Sequence, residues 1–278
     1  MNVLAPIAPQ VIPGRAIDIA DIGPIRGLAR VDRSDPVFFD HPLDHVPGML
    51  LVAAGLELAD HGSMLDHANV TVRLNFTKFC ELDGPVEVTA AREPDGAHWF
   101  EFVQFGRGVA NARLAHCGRR RQMKCGPAPA LQDGLISSEL VHRTDRRNVA
   151  IGPLTVEDGR VWTGIRKQPA IGGLPPRASA VATILEATRQ LTTVILHRWG
   201  GHPFGTKMIF VGFTAELPTE GPPDRVARAL SWAVTAPDKT NKLSIDLHEV
   251  GSRAKKVGSV LIAARCASDE EYAQLRAA

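Results

Sequence analysis

Several things are scarce in this chain, and each scarcity removes a class of function. Its cysteines number four, Cys80, Cys117, Cys125 and Cys266. None stands in a Cys-x-x-Cys or Cys/His ligand spacing, which argues against a zinc site and against a disulfide framework; they read as reduced thiols, with no metal. No apolar run approaches the roughly 20 residues that span a bilayer. The opening Met1-Asn2-Val3-Leu4-Ala5-Pro6 lacks the basic-then-apolar pattern of a signal peptide, so a cytoplasmic location away from membranes is expected. The formal net charge is only +2, too small to argue for nucleic acid as a partner. One dense basic cluster does occur, Arg119-Arg120-Arg121-Gln122-Met123-Lys124. It reads either as a solvated linker or as a docking patch for an acidic partner such as a carrier protein or a nucleotide-bearing thioester.

What is present is enough for a sizeable core: 278 residues, 44% of them hydrophobic, fit one large or two ordinary domains. The most informative stretch runs from Phe38 to Leu51, with two Asp-His dipeptides (Asp40-His41 and Asp44-His45) and then Pro47-Gly48. After Gly48 the run Met49-Leu50-Leu51-Val52-Ala53-Ala54-Gly55-Leu56 is apolar all round, the pattern of a helix buried on every side. A helix starting at Gly48 aims free backbone N–H groups at whatever His41 and His45 face, which is an oxyanion site. The ordinary alternative is a turn in which Asp44 caps the following helix.

The chain also repeats itself. Phe76-x-x-Phe79-x-Glu81-Leu82, then Val88-Thr89-Ala90, then a strand ending Ala115-His116-Cys117, is answered in the second half by Phe210-x-x-Phe213-x-x-Glu216-Leu217, Ala233-Val234-Thr235-Ala236 and a strand ending Ala264-Arg265-Cys266. The same alignment pairs the helical run from Val52 to Glu57 with Leu185-Glu186-Ala187-Thr188-Arg189-Gln190. Runs such as His98–Val103 and Lys242–Leu247 alternate like strands. Gly126-Pro127-Ala128-Pro129-Ala130 is too rich in Pro and Gly for an element interior, and Thr219–Asp224 reads as a surface excursion. The expectation is an α+β fold with one unit in residues 1–117, a linker over 118–137 and a second unit in 138–278. Each unit holds a long helix, starting near Gly48 and near Val181, wrapped by a curved antiparallel sheet, and the two sheets pair or pack side by side.

A helix preceded by His-Pro and Pro-Gly and wrapped in this way resembles the hotdog fold of the β-hydroxyacyl carrier-protein dehydratases. More closely, Phe39–Leu51 and Glu186–Gln190, supported by Phe76–Asp83 and Glu139-Leu140-Val141-His142-Arg143, are similar to signature segments of the A-factor biosynthesis (AfsA-type) hotdog family. That resemblance implies a tandem hotdog enzyme that transfers a β-ketoacyl group from a carrier-protein thioester to the hydroxyl of dihydroxyacetone phosphate. In the family the Asp-His-Pro segment usually sits in the second half and leads into a Glu-x-x-Arg-Gln helix; here the halves are in swapped order. The first half keeps His41 and Gly48 but has Ala53 and Leu56 at the helix positions. The second keeps Glu186 and Arg189 but has Leu174 and Val181 where a His and a Gly would align. The resemblance therefore implies a single composite site shared between the halves.

The expected chemistry is that of thioesters. His41 serves as base for an incoming hydroxyl or an α-proton, the Gly48 N–H stabilises the developing oxyanion, and Glu186 with Arg189 completes the site. Arg189 lies on the same helical face as Glu186, so an ion pair between them is the structural alternative. Asp40 would hold His41 in one tautomer, and His45 would orient His41 or Asp44 or only pack. Arg189, Arg177 and Lys207 are the candidate cations for a phosphate-bearing acceptor, and His142 is expected outside the site. The first functional expectation is a β-ketoacyl transferase. Its partners are an acyl carrier protein or acyl coenzyme A and a small acceptor, without a cofactor, with a homodimer as a possible assembly. The second is a dehydratase, cyclase or hydrolase on a carrier-bound chain, and the third a non-catalytic acyl- or ligand-binding protein.

Overall fold

An antiparallel ladder between strands from opposite halves of the chain joins the whole molecule. The computed structural model describes residues 17–20, 25–118, 125–166, 171–235 and 242–277; the basic cluster from Arg119 to Lys124 lies outside the described residues. The first half runs β1 (Ile17–Ala20), β2 (Ile25–Ala29), α1 (Gly48–His61), β3 (Asn69–Phe76), β4 (Val86–Arg92), β5 (His98–Gln104) and β6 (Arg107–His116). A short β7 (Cys125–Pro127) follows. The second half runs β8 (Thr155–Glu157), β9 (Arg160–Gly164), α2 (Pro176–Arg198), β10 (Lys207–Pro218), β11 (Ala227–Ala233), β12 (Lys242–Val250) and β13 (Arg253–Ala267), and α3 (Asp269–Ala277) closes the described chain.

The sheet order is β1-β2-β4-β5-β6-β3-β10-β13-β12-β11-β9-β8, with β7 added on β13. Read outward from the β3–β10 pair, the two sides carry the same elements in the same order, so the repeat in the sequence is a repeat in the fold. Each side is one hotdog unit, a helix held against an antiparallel sheet, and the molecule is the double hotdog that the landmarks predict. The seam is in register from Gly212↔Asn75 to Pro218↔Asn69.

Strands such as β5 and β12 bury alternate residues, giving each sheet one apolar face, and that face packs on the helices in one continuous core. α1 buries Leu50 through Ala54, Leu56, Glu57, Leu58 and Ala59, which is the all-round burial its apolar run predicts. Glu57 is an addition: the first unit has a buried helix carboxylate after all, one turn beyond Ala53. The second helix starts at Pro176, ahead of the expected start near Val181. Proline suits the first helical position because its fixed φ is already helical and its missing N–H has no partner there. The excursion after β10 is exposed from Glu220 through Arg225, although Thr219 is buried and its backbone N–H donates to the Ala68 carbonyl. Cys80, Cys117 and Cys266 are free thiols, and burial pushes the Cys80 thiol up to about 12. No helix among the described residues is long and apolar enough to cross a membrane.

Gly212 sits in the seam where the β10–β13 register shifts, and a Cβ there would run into the Leu74 carbonyl of β3. The obstacle is backbone of the neighbouring unit, which cannot swing aside. Gly212→Val is expected to destabilise the protein by about 1–3 kcal/mol through overpacking, measured by urea unfolding. Wild-type stability in that variant would contradict the close approach of the two units.

Candidate active site

The loop from Asp35 to Val46 carries the first half of the site, and its course is fixed by its own polar groups. Asp35 Oδ1 accepts from the Val37 and Phe38 amides at 2.8 and 3.1 Å, and the Val46 amide donates to the Cys80 carbonyl at 2.7 Å just before α1 begins. Between these ties, Asp40 is driven inward until its side chain is 1% exposed. His41 Nδ1 lies 2.6 Å from Asp40 Oδ1. Because the carboxylate is ionised, Nδ1 donates, and Nε2 is left as an acceptor on a ring that lines the cavity.

Asp40 stays ionised through its other partners. Arg143 Nη1 donates to Asp40 Oδ1 at 3.1 Å and Asn148 Nδ2 to Oδ2 at 3.2 Å. Burial alone would raise this carboxyl, but the hydrogen bond from His41 and the Arg143 charge outweigh it and hold it below the usual carboxylate range. Arg143 and Asn148 come from the connector between β6 and β8, which folds into short 3-10 turns at Glu139–Val141 and Arg146–Asn148. The same two side chains donate to the loop backbone, Arg143 to Val37 O at 2.7 Å and Asn148 to Pro36 O at 2.6 Å.

Arg143 also reaches the second helix. Its Nη2 donates to Glu186 Oε1 at 2.7 Å, and Arg189 Nε and Nη2 donate to Glu186 Oε2 and Oε1 at 2.8 and 2.7 Å. Gln190 Nε2 adds a contact of 2.6 Å to Glu186 Oε1, while its Oε1 accepts from the Ala150 amide at 2.7 Å. Glu186 is 2% exposed. Burial pushes its carboxyl up, yet the Arg143 and Arg189 charges override that and hold it well below the usual range.

A cavity of about 1600 Å³ opens between the units, walled by His41, Gly48 and Met49 from one and by Arg189 and Phe210 from the other. The first turn of α1 enters it with no side-chain cap and no acidic residue, so its amides keep their capacity to bind negative charge. A Cβ at Gly48 would stand 2.8 Å from the tip of the Phe76 ring, so a larger residue there would have to push that ring aside. The C-terminal α3 covers one side of the cavity: Tyr272 OH donates to Asp44 Oδ1 at 2.8 Å, and Arg276 donates to both Glu81 carboxylate oxygens at 2.9 and 2.7 Å.

The candidates named from sequence thus fall into three groups. His41, Gly48, His45, Arg189 and Lys207 line the cavity. Asp40 and Glu186 lie behind its wall, Asp40 supporting His41 and Glu186 supporting Arg189, so Glu186 does not face a substrate as expected. Arg177 is elsewhere, paired with Asp66 at the start of α2, because the helix begins earlier than Val181. His45 bonds Asp44 at 2.7 Å and packs edge-on against Phe79 at 5.1 Å, which makes it part of the α3 dock. Lys207 has Asp269 at 3.8 Å and the Tyr272 ring at 5.8 Å. The expectation that His142 lies outside the site is overturned: its ring lines the cavity, and its Nε2 stands 2.8 Å from His197 Nε2. Arg143 is the residue that sequence reasoning passed over, although it closes the quoted segment Glu139–Arg143. Among the described residues no cluster of three or more His, Cys, Asp or Glu is placed to hold a metal ion.

Comparison with known proteins bears on the fold and on part of the first unit. Residues 20–97, which hold β2, α1, β3 and β4, match the family described as the A-factor biosynthesis hotdog domain. A curated relative, 2-oxo-3-(phosphooxy)propyl 3-oxoalkanoate synthase of Streptomyces virginiae, is 37% identical over 75 residues, a stretch that covers 26% of this chain and 24% of the relative. The match therefore spans about a quarter of the relative's length. Among solved structures, the dehydratase domain of RzxB from Pseudomonas fluorescens superposes with a TM-score of 0.60 at 10% identity, covering 87% of this chain and 94% of that one. The dehydratase domain of a mycocerosic acid synthase-like PKS gives 0.59 at 15% identity, with 94% and 100% covered. At such identities these structures show the double hotdog fold.

Two depressed carboxylates make stability acid-sensitive. A group whose folded pKa lies below its unfolded one contributes fully above the unfolded value, near 4 for these side chains, and loses that contribution as the pH falls toward the folded value. Urea unfolding is expected to show steady stability down to about pH 5 and a decline below it. Glu186→Gln is expected to remove much of that decline and to destabilise the neutral-pH protein by about 3–5 kcal/mol, because Arg143 and Arg189 then face an uncharged amide. A variant with wild-type stability at neutral pH would show that the buried pair is not the anchor described.

Proposed function

We propose that the protein transfers a β-ketoacyl group from a carrier-protein or coenzyme A thioester to a small hydroxylated acceptor, in the biosynthesis of a signalling molecule or other secondary metabolite. The observation that carries this reading is the Asp40–His41 dyad, with Nδ1 committed at 2.6 Å and Nε2 left for the cavity, beside the uncapped first turn of α1. The relative's name, a 3-oxoalkanoate synthase with a phosphooxypropyl group, supports the acyl class and makes dihydroxyacetone phosphate the first acceptor to try.

The steps follow from the placement of these groups. A thioester carbonyl oxygen sits toward the Gly48 amide, whose N–H donates to the negative charge that develops there. His41 Nε2 takes the proton of the acceptor hydroxyl as its oxygen bonds to the carbonyl carbon, and Asp40 steadies the imidazolium. The tetrahedral intermediate then expels the thiolate, which receives the proton from His41, and an ester is left. Arg189, lining the cavity with Glu186 at its back, supplies a positioned cation for a phosphate or for the ketoacyl oxygens.

The dehydratase alternative requires a protonated carboxyl facing the substrate. Glu186 is ionised, buried and turned into a cage of Arg143, Arg189 and Gln190, so that role has no occupant among the expected residues. The decisive assay incubates the protein with a β-ketoacyl thioester, with and without dihydroxyacetone phosphate, and reads products by mass spectrometry. An acceptor-dependent adduct is expected, reduced about 100-fold to 10,000-fold in His41→Ala. Loss of water or free acid in place of the adduct would favour the dehydratase or hydrolase reading, and binding without turnover would favour the ligand-binding one.

A further inference from the structure

Beyond the residues of the site, the large cavity has an apolar part walled by Leu51, Val52, Leu185, Phe213, Val260 and Ile262. Two of these six also line a second, smaller hollow: Val52 and Leu185. No other residue borders both spaces, so these two side chains stand between them. Both are buried. Val52 lies four residues after Gly48 in α1, which puts it about 6 Å further along the helix axis than the proposed oxyanion amide. Gly55, the next cavity-facing residue of that helix, borders only the second hollow and lies about 10 Å along.

The hollow exists because small residues meet across the layer between α1 and the first unit's sheet. Gly55 offers no side chain from the helix, and a Cβ there would stand 3.0 Å from the tip of the Phe102 ring. On the sheet, Ala112 of β6 has Leu74 as its ladder partner on one side and Phe100 on the other, so the smallest side chain sits between two large ones. The space left is about 20 Å³ and has no polar side chain in its wall, the kind of void that stays dry. It is room kept for apolar atoms.

The repeat explains the arrangement. The alignment that pairs Val52 with Leu185 also pairs Gly55 with Thr188, which lines the large cavity and spends its hydroxyl inside the helix on the Ile184 carbonyl at 2.8 Å. Facing it from the sheet are Phe213 and Ile262, ladder partners on β10 and β13. The large cavity thus already runs between α2 and the second unit's sheet, in the place that the hollow takes between α1 and the first. We infer that Val52 and Leu185 are the specificity-determining residues for acyl-chain length: the tail of the acyl group lies in the apolar part of the cavity and stops at the wall these two make, short of the hollow behind it. This rests on the acyl-transfer reading above. Each methylene that reaches apolar wall adds about fourfold in affinity, and one methylene too many for a closed pocket costs about 10-fold or more.

The test is a series of straight-chain β-ketoacyl pantetheine thioesters, each assayed for kcat/KM with dihydroxyacetone phosphate. In the wild-type protein kcat/KM is expected to rise about fourfold per methylene and then to drop about 10-fold or more at the first chain too long. Leu185→Ala joins the cavity to the hollow and is expected to move that cut-off to longer chains. Val52→Ala opens the same wall from the other helix, and serves where Leu185→Ala does not fold. Gly55→Ala alone is expected to leave the cut-off in place, and in the Leu185→Ala background to move it back toward the wild-type length. A wild-type series without a cut-off, or a cut-off that neither wall variant moves, overturns the inference. Calorimetric titration with S-alkyl pantetheine thioethers of the same lengths reads the wall without turnover, and the same cut-off should appear in Kd and shift in the same variants. Failure of every thioether to bind overturns it as well. If no thioester is consumed while the Kd series behaves as expected, the acyl-transfer reading fails and the chain-length wall stands; transfer without any cut-off is the reverse.

Discussion

The guanidinium of Arg143 is the interaction on which the rest of the site depends. It is nearly buried, with a side chain 6% exposed, and it lies between two carboxylates from opposite halves of the chain, Asp40 at 3.1 Å and Glu186 at 2.7 Å. Removing any one of the three would strand charge in the interior, which is why buried pairs are expensive to break even when they add little net stability. Each carboxylate in turn serves a residue that faces the cavity: Asp40 fixes His41, and Glu186 fixes Arg189. One cation from the connector thus sets the relative positions of a histidine from the first unit and a cation from the second.

Pseudo-symmetry explains why such a bridge is needed. The two units share one sheet order around the β3–β10 seam, and their helices touch, but they have kept different chemistry. The first supplies a histidine at the entry to its helix and an uncapped helix start; the second supplies the Glu186-Arg189-Gln190 face of α2. Neither set is a site alone. The connector, which an exact repeat would not require, contributes Arg143, Asn148 and His142 and binds the two sets into one.

Much of this was legible in the sequence where the signal was local. The apolar run after Gly48 announces a buried helix starting there, the repeated landmarks announce the two-unit sheet, and the spacing of Glu186 and Arg189 offers their ion pair as the alternative to a direct catalytic role. The readings that failed depended on contacts between distant residues. Arg143 meets Asp40 across a separation of 103 residues, and nothing in its own neighbourhood marks it as buried. Without Arg143, Glu186 reads as a carboxylate open to substrate; with it, Glu186 is a caged anion. His142 carries no local sign that its ring reaches the cavity, and Arg177 flanks a helix expected to start near Val181 but pairs with Asp66 instead. A Pro-Pro pair ahead of Arg177 was the one local sign of the earlier start.

The claim that Arg143 couples the two halves of the site is tested most directly by a double-mutant cycle on stability, with Asp40→Asn, Glu186→Gln and the pair, each followed by urea unfolding at neutral pH. Because both carboxylates act on the same guanidinium, the double variant should depart from the sum of the single ones by about 1 kcal/mol or more. Additivity to within about 0.3–0.5 kcal/mol would mean that Asp40 and Glu186 are independent, and that the two units do not share one charge-linked site.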